Sequence, residues 1–352
     1  MDNKNTKPKM SKKKKILIII AVVLIVFLLL GIGIFFGGKR WIENKFFNPI
    51  NRVDLEQMEI IPPEEEDFEK DDYNAEYEEV DPKDIDWGEL SDFNDEELIN
   101  ILLVGQDRRK GQGRQRSDTM ILCSVNPETK EISLISFLRD LYVQFPGGYS
   151  NNRLNAAYAF GGFPLLDETI ENNFGITIDY NLEVDFNGFI EVFDYIGGVD
   201  VELTQAEADY LTKWWGKKEV PDWGPFTAGV NHLDGEEALA YARIRKIDSD
   251  FGRTTRQRTV LKKGFDKIKH SSVNDLLKMT ETLLPYITTD MTNDDIWDLL
   301  FEIAPIISSV KLNSYSVPDT GDYSYANVNG MSVILPNMNL IREKLQKTYL
   351  PY

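Results

Sequence analysis

The pattern of apolar and polar positions divides this chain into three parts. An unbroken apolar run near the N-terminus is followed by a long polar stretch, and short apolar segments alternate with polar ones from about residue 98 onward. In the last part, apolar runs bounded by turn residues predict buried strands, and apolar positions at helical spacing predict helices. The predicted strands are 99–104, 119–125, 131–137, 180–185, 199–203, 311–317 and 331–335. The predicted helices are 165–174, 186–195, 234–242, 253–269, 273–284 and 293–307.

This succession of strands and helices predicts the α/β class for residues 98–352. The turn at 126–129 joins two neighbouring strands directly, while helices separate most of the others. We therefore expect an α/β/α sandwich with a mixed central sheet, preceded by one N-terminal transmembrane helix.

The N-terminal apolar run covers residues 16–36 and contains no charged side chain. Its 21 residues are enough to span about 30 Å of hydrocarbon as a helix. Seven lysines precede the run, whereas only Lys39 and Arg40 follow it closely. The positive-inside rule then predicts a cytoplasmic basic tail at 1–15, a transmembrane helix at 16–36 and an extracellular remainder. A cleaved signal peptide is the alternative, but the run is longer than usual and no A-x-A site follows.

Charge is distributed unevenly along the chain, whose net charge is -19. Residues 1–53 contain 11 basic and 2 acidic side chains, whereas residues 54–97 contain 2 basic and 21 acidic ones. So acidic a stretch, interrupted by Pro62 and Pro63, predicts a solvated extracellular stalk over 37–97. Residues 98–352 are also acidic overall, which argues against nucleic-acid binding.

One cysteine and two histidines restrict the possible chemistry. A lone cysteine excludes an internal disulfide, and Cys123 lies in an apolar run where it is interpreted as buried filler. His232 and His270 are not spaced as metal ligands, and no G-x-S-x-G motif occurs, so a zinc hydrolase and a Ser-His-Asp triad are disfavoured. His232 is interpreted as a packed turn residue. Aspartate and arginine remain as the candidate functional groups.

Aspartates and arginines concentrate in two distant segments. The first contains Asp107, Arg116 and Asp118, and the second contains Arg243 and Arg245. Carboxylates suit a hard cation such as Mg2+, and guanidinium groups suit phosphate oxygens. A domain with both is a candidate for binding a pyrophosphate. Some neighbouring charged residues are interpreted more simply, as solvated side chains (Arg108, Arg109, Arg114, Arg258) or as turn and cap residues (Asp140, Asp200).

The motifs around these residues resemble the LytR-CpsA-Psr (LCP) family of membrane-anchored cell-wall glycopolymer transferases. The resemblance covers roughly residues 95–260, and its motifs occur in the family's order. They are ILLVGQD at 101–107, RSDTM at 116–120, RD at 139–140, NAAY at 155–158, GGVDV at 197–201, HLDGEEALAYARIR at 232–245 and DFGR at 250–253. Two positions depart from the family pattern. Phe137-Leu138 replace Ile-Pro before the Arg-Asp pair, and Arg153-Leu154 replace Lys-Ile.

The resemblance implies a Mg2+-dependent phosphotransferase in a Gram-positive-type cell envelope. Such proteins move a glycopolymer, for example wall teichoic acid or capsule polysaccharide, from an undecaprenyl-pyrophosphate carrier to peptidoglycan, and form a phosphodiester. By resemblance, Asp107 and Asp118 bind the metal, and Asp250 orients arginines or helps to activate the acceptor hydroxyl. The implied catalytic residues are Arg116, Arg139, Arg243, Arg245 and Asp250. The implied pyrophosphate-binding residues are Arg116, Arg139, Arg153, Arg243, Arg245, Arg253 and Gln257.

Two other functions use the same groups. A non-catalytic scaffold could bind the carrier lipid, and a pyrophosphatase could use water in place of the acceptor hydroxyl. The presence of both aspartates and the paired arginines favours an enzyme over a scaffold. A transcription regulator is disfavoured, because the predicted cytoplasmic part has only about 15 residues, too few for a DNA-binding domain.

Overall fold

The computed structural model describes residues 39–59, 74, 76–90, 97–106, 113–215, 223–244, 247, 250–268, 281, 284–303, 306 and 311–351. The transmembrane helix predicted at 16–36 and most of the helix predicted at 273–284 lie outside these residues. Within the described ranges, no helix combines the length and the apolar character needed to cross a membrane. The described residues form two compact units, divided between Phe189 and Ile190 and again between Leu276 and Leu277.

The secondary-structure elements are numbered here in chain order. The strands are β1 (Asn51–Arg52), β2 (Glu78–Glu79), β3 (Ile99–Gln106), β4 (Ser117–Asn126), β5 (Glu131–Phe137), β6 (Tyr142–Val143), β7 (Asn152–Arg153), β8 (Tyr180–Asp185), β9 (Val199–Leu203), β10 (Gly229–Leu233), β11 (Ile287–Thr289), β12 (Lys311–Val317), β13 (Tyr323–Val328) and β14 (Met331–Pro336). The helices are α1 (Lys39–Ile42), α2 (Leu154–Phe174), α3 (Phe186–Tyr195), α4 (Gln205–Trp215), α5 (Gly235–Ala242), α6 (Asp250–Ile268), α7 (Asn293–Ile303) and α8 (Met338–Lys344).

The larger unit contains a seven-stranded sheet in the order β1-β11-β8-β3-β4-β5-β12. The β3–β4 and β4–β5 pairs are antiparallel, whereas β3–β8 and β5–β12 are parallel. Leu102, Leu122 and Ile135 are direct neighbours across β3, β4 and β5, and all three are fully buried. Continuous apolar runs are typical of strands covered on both faces. The predicted α/β class with a mixed sheet is therefore confirmed.

The helix predicted at 165–174 begins eleven residues earlier than expected, because α2 starts at Leu154. Gly162, with φ 65° and ψ -148°, kinks α2, and Pro164 follows just after the kink. These residues interrupt the helical pattern of the sequence, so only the second half was predicted. Gly175 then ends the helix in the left-handed conformation, and its N–H donates to the Glu171 carbonyl at 2.7 Å.

Among the described residues, the smaller unit contains the part of α3 from Ile190 onward, the antiparallel pair β9–β10 and helices α4, α5 and α6. Asp234 caps α5 by accepting a hydrogen bond from the Glu237 N–H, and the Glu237 side chain accepts one from the Asp234 N–H. This capping box explains why α5 begins where the sequence indicates. Neither α4 nor β10 was predicted, although the Thr204-Gln-Ala-Glu207 motif before α4 is a capping-box signature.

Parts of the predicted stalk, residues 37–97, pack against the larger unit. Phe46 and Phe47 are buried, and the Phe47 ring centroid lies 5.2 Å from that of Trp297 on α7. Strand β1 pairs in parallel with β11, and β2 pairs in parallel with β13. The interpretation of this stretch as a solvated spacer is wrong for these segments. The proposed domain boundaries themselves stay a prediction.

Cys123 is an interior residue of the central sheet. Its side chain is buried, and burial raises the pKa of the thiol to about 12. The thiolate is the nucleophilic form, so such a thiol is unreactive near neutral pH. The interpretation of Cys123 as buried filler is confirmed.

Candidate functional site

The two predicted metal-binding aspartates, Asp107 and Asp118, lie near the end of β3 and the beginning of β4. Strand β3 ends at Gln106, one residue before Asp107, and β4 begins at Ser117, one residue before Asp118. Gln106 and Ser117 are direct partners across the two strands. Asp118 therefore lies at the end of the central strands where β3 finishes. Asp107, the other predicted metal ligand, lies outside the described residues.

Arg139 and Asp118 form an ion pair in the larger unit. Nη1 of Arg139 donates a 2.8 Å hydrogen bond to Oδ1 of Asp118, and Nε of Arg139 lies 3.3 Å from Oδ2 of Asp140. The pair extends the β4–β5 register, in which Met120 is the partner of Phe137, by two residues on each strand. Arg139 is buried, whereas the Asp118 side chain is 21% exposed. The pair therefore combines a fixed guanidinium with a carboxylate that solvent still contacts.

Arg116 lies immediately before β4 and is partly exposed. Because side chains alternate along an extended strand, Arg116 and Asp118 share one side, opposite the fully buried Ser117. The sequence prediction that Arg116 belongs with Asp118 agrees with this alternation, while its pyrophosphate-binding role stays a prediction.

Arg153 has a structural partner in the same unit. The residue is 3% exposed, and its Nε and Nη2 donate to the backbone oxygen of Ser332 at 3.2 and 2.6 Å. These bonds fix the beginning of α2 against β14. Two of the three guanidinium nitrogens thus bind a carbonyl, and the predicted contact of Arg153 with pyrophosphate remains a prediction.

Arg114 is a half-buried anchor of the loop before β4. Its Nε donates to the Ala159 carbonyl at 3.0 Å, and its Nη2 donates to the carbonyls of Glu59 and Phe160 at 2.7 and 2.9 Å. Burial lowers the pKa of this guanidinium. The interpretation of Arg114 as a solvated loop charge is therefore wrong, because its guanidinium donates to backbone carbonyls, two of them beside the α2 kink, instead of to water.

A buried carboxylate that sequence reasoning missed lies beside this loop. Glu183 on β8 is 3% exposed and accepts hydrogen bonds from the Gln106 amide and the Tyr158 hydroxyl. Oε1 of Gln106 in turn accepts from the Gln115 N–H at 3.0 Å. The network joins the end of β3 to β8, to α2 and to the loop before β4. The available sequence signal was Tyr158, which lies within the Asn-Ala-Ala-Tyr motif.

The second arginine cluster belongs to the smaller unit. Arg243 follows the last residue of α5, and its N–H donates to the carbonyls of Leu239 and Ala240 at 3.1 Å each. Arg253 is 3% exposed on α6, and Gln257, one turn further along, is partly exposed. Arg245 lies outside the described residues, and so does the side chain of Asp250. The predicted site residues thus occur in both units, with Arg116, Asp118, Arg139 and Arg153 in the larger one.

His232 is an exposed strand residue of the smaller unit. It is the direct cross-strand partner of Asp200, and its Nδ1 lies 2.8 Å from Oδ1 of Asp200. This hydrogen bond is the main reason why the pKa of the Asp200 carboxyl is lowered. The interpretations of His232 as a packed turn residue and of Asp200 as a turn or cap residue are wrong, since the two form a surface pair across β9 and β10.

The chemistry of the Asp118 carboxylate suits a hard cation, because Mg2+ prefers oxygen ligands. In the part of the chain that the structure describes, no group of three or more His, Cys, Asp or Glu side chains is arranged to bind a metal. Since Asp107 lies outside that part, the expected Mg2+ site stays a prediction.

The larger unit thus contains a mixed sheet with an Asp118–Arg139 ion pair at one end of its strands, and in the smaller unit Arg243 follows the end of α5. The LytR_cpsA_psr family model matches residues 64–347, and the chain therefore belongs to this family. The polyisoprenyl-teichoic acid–peptidoglycan teichoic acid transferase TagU of Bacillus licheniformis is 35% identical over 214 residues. That alignment covers 59% of this chain and 65% of the relative, so the chain matches less than two thirds of the relative's own length.

Solved structures of the family have a similar fold. The structure of TagT bound to LIIa-WTA has a TM-score of 0.54 and 28% identity, and the match covers 74% of this chain and 94% of the other. A structure of the LytR-CPS2A-psr family protein YwtF (TagT) with bound octaprenyl pyrophosphate lipid has a TM-score of 0.51 and 25% identity, over the same shares of both chains.

Proposed function

We propose that this chain is a membrane-anchored phosphotransferase that moves a glycopolymer from a polyprenyl-pyrophosphate carrier to peptidoglycan. Undecaprenyl is the expected polyprenyl group, and wall teichoic acid is the expected polymer class because the TagU relative is named for it. Support for a pyrophosphate donor comes from the related TagT structure with bound octaprenyl pyrophosphate lipid. Family membership, which extends over residues 64–347, supports the reaction class.

The observation that carries the proposal is the Arg139–Asp118 pair. Its 2.8 Å hydrogen bond fixes a buried guanidinium at the strand edge where the family's Arg-Ser-Asp motif lies. Phosphoryl transfer needs mainly positioning and neutralisation of charge. A guanidinium that is already held in place contributes to both without reorganisation during the reaction.

The proposed reaction transfers a phosphoryl-linked polymer. The acceptor hydroxyl oxygen forms a bond to the phosphorus atom on the polymer side, and the bond from that phosphorus to the bridging oxygen breaks. Polyprenyl phosphate leaves, and the hydroxyl proton passes to a carboxylate, for which Asp250 is the candidate, or to solvent. Arg116, Arg139, Arg243 and Arg245 would bind the phosphate oxygens, assisted by Arg253 and Gln257.

Mg2+ is the proposed cofactor. Asp107 and Asp118 would hold it, because paired carboxylates provide the oxygen ligands and the charge that this cation prefers. When bound, it would neutralise part of the negative charge of the pyrophosphate. Within the described residues, the partial exposure of the Asp118 carboxylate is compatible with such a role.

A reconstituted reaction tests the proposal. The purified full chain would be mixed with a polyprenyl-pyrophosphate-linked teichoic acid precursor, peptidoglycan oligosaccharide and Mg2+. We expect polymer joined to the oligosaccharide through a phosphodiester, with release of polyprenyl phosphate. Polyprenyl phosphate without a joined product would indicate a pyrophosphatase, and tight donor binding without turnover would indicate a scaffold. Either of these outcomes would refute the transferase.

A further inference from the structure

Arg256 is a buried arginine that the predicted pyrophosphate-binding residues do not include. It lies in the middle of α6 and is 3% exposed. A guanidinium is stable in such a place only when hydrogen-bonding partners compensate the lost water. Two partners of Arg256 belong to other segments of the smaller unit, and together they indicate what the residue does.

The first partner is the backbone carbonyl of Ile244, the residue that follows Arg243. Nη2 of Arg256 donates a 2.8 Å hydrogen bond to the carbonyl oxygen of Ile244. Ile244 is fully buried and follows the end of α5 by two residues. Because the peptide unit is planar, this bond fixes the orientation of the peptide unit on the C-terminal side of Ile244, and with it constrains the backbone that follows Arg243.

The second partner is Glu207 on α4. Nη1 of Arg256 lies 3.4 Å from Oε1 of Glu207, which is 7% exposed. The other carboxylate oxygen, Oε2, accepts hydrogen bonds from the N–H and the hydroxyl of Thr204 at 2.8 and 2.9 Å. Glu207 is therefore held by the capping box at the start of α4. A fixed carboxylate both neutralises the buried guanidinium and limits its orientations.

We propose that Arg256 is a positioning residue for Arg243. Held by Glu207, it sets the backbone at Ile244 so that the guanidinium group of the neighbouring Arg243 is presented to the pyrophosphate of the donor. Arg256 itself does not contact the substrate. The inference rests on the proposed function, since it assigns a role in the same pyrophosphate site.

Arg342 provides a matched control in the larger unit. It is 6% exposed on α8, and its Nε and Nη1 donate to the carbonyls of Asn173 and Trp87 at 2.8 and 2.7 Å. Arg342→Gln thus removes a buried guanidinium that also binds backbone carbonyls, but none of its contacts involves the segment of Arg243. A purely structural role for Arg256 predicts equal behaviour of the two glutamine variants.

The experiment uses the full chain in nanodiscs and measures the melting temperature, the affinity for octaprenyl pyrophosphate and the rate of polymer transfer. Arg256→Gln and Arg342→Gln should lower the melting temperature to a similar extent. Arg256→Gln should in addition weaken binding and slow transfer by roughly 10- to 100-fold, because small displacements of charged groups have large kinetic effects. Arg342→Gln should change both by less than about 2-fold, the range of an indirect structural effect. Arg256→Lys should recover part of the loss, since an ammonium can still bind one of the two acceptors.

A double-mutant cycle distinguishes positioning from direct contact. If Arg256 acts through Arg243, adding Arg256→Gln to Arg243→Ala should weaken octaprenyl pyrophosphate binding by less than about 3-fold. A full additional loss would mean that Arg256 binds the ligand independently, and transfer equal to that of Arg342→Gln would mean a structural role alone. Both results overturn the proposal.

Wild-type protein that binds octaprenyl pyrophosphate without transferring polymer would refute the transferase, while the binding cycle still decides the role of Arg256. If Arg256→Gln does not fold, Arg256→Lys and Glu207→Gln replace it in the same comparison.

Discussion

Asp118 and Arg139 are 21 residues apart in sequence, yet a single 2.8 Å hydrogen bond joins Oδ1 of the first to Nη1 of the second. This side-chain bond lies two residues beyond Met120 and Phe137, which are the last paired residues of β4 and β5 at this end. The sheet register therefore decides which aspartate faces which arginine. A substitution at either residue changes the charge balance of the other.

The first prediction concerns the charge of Asp118. Asp118→Asn should slow transfer by roughly 30- to 1,000-fold, which corresponds to about 2 to 4 kcal/mol of lost transition-state stabilisation. If the carboxylate binds Mg2+, raising the Mg2+ concentration should restore part of the rate. Transfer assays across a Mg2+ titration check this, with Asp179→Asn, at the opposite end of the sheet, as the control. A wild-type rate at every Mg2+ concentration would show that Asp118 is assigned wrongly.

The second prediction concerns the geometry of the Arg243 side chain. Arg243→Ala should nearly abolish transfer, and Arg243→Lys should recover little, because an ammonium keeps the charge but not the planar fork that binds two phosphate oxygens. Extra Mg2+ should not restore either variant. Initial rates at saturating donor measure the effect, and a lysine variant with the full wild-type rate would refute a fork-dependent contact.

The third prediction concerns the α2 kink. Gly162 has φ 65° and ψ -148°, a region that is nearly restricted to glycine, and an added Cβ would meet the Met58 side chain and Nη1 of Arg114. Gly162→Ala should lower the free energy of unfolding by roughly 1 to 3 kcal/mol. Gly113→Ala is the control, since a Cβ there meets nothing within 4 Å. Equal denaturation midpoints for the two variants would contradict the expected strain.

The fourth prediction concerns pH. Burial raises the pKa of the Asp167 carboxyl to about 8, although Asn181 donates a 2.8 Å hydrogen bond to it. The folded state then binds more protons than the unfolded state between about pH 4 and pH 8, so this group's contribution to stability declines as the pH rises through that window. Asp167→Asn stays neutral and can still accept from Asn181. Its melting temperature should exceed that of the wild type at pH 8, and the difference should narrow toward pH 5.

Glu131 is the control for this pH experiment, because its contribution to stability is expected to change with pH in the opposite direction. Its hydrogen bond from Lys311 lowers the pKa of the carboxyl from its usual 4.5. The stability it contributes is present above that usual value and is lost as the pH falls through the lowered one. Glu131→Gln should therefore be slightly less stable than the wild type at pH 8. A pH-independent difference for Asp167→Asn would mean that its carboxyl is ionised in the folded protein.

The fifth prediction concerns topology. Because seven lysines closely precede the apolar run at 16–36 and only Lys39 and Arg40 follow it closely, we expect the folded units to lie outside the cell. Protease added to intact protoplasts should digest an epitope attached after Tyr352 and leave a cytoplasmic marker protein intact. Full protection of the epitope until the membrane is permeabilised would refute this orientation.

The central sheet could be predicted because burial dictates its sequence. Strands β3 and β4 contain apolar runs at 101–104 and 120–123, and most residues of β5 are apolar. Such short apolar segments are typical of strands that are buried on both faces. Strands β1, β2, β6 and β7 could not be predicted in this way. Each has two residues, and residues outside the strand, rather than the strand's own pattern, hold it in place.

The sequence identified the charged residues of the candidate site, but it did not identify the buried residues that support them. The motifs identified Asp118 and Arg139, and the register of β4 and β5 explains their pairing. Arg114 was interpreted as a solvated charge, and Glu183 and Arg256 were assigned no role, because a single arginine or glutamate in sequence looks the same whether it is solvated or buried. Only the positions of the carbonyls of Phe160 and Ile244 distinguish the two cases.

Strands β1 and β2 are both attached to the larger unit, β1 through its pairing with β11 and β2 through its pairing with β13. A segment with both ends attached to one body is a loop, and its length has no influence on how far that body stands from any other. The chain between β1 and β2 therefore adds nothing to the separation between a bilayer and the larger unit. If the apolar run at 16–36 is an anchor, only residues 37–50 set that separation, and shortening the chain between β1 and β2 would leave it unchanged.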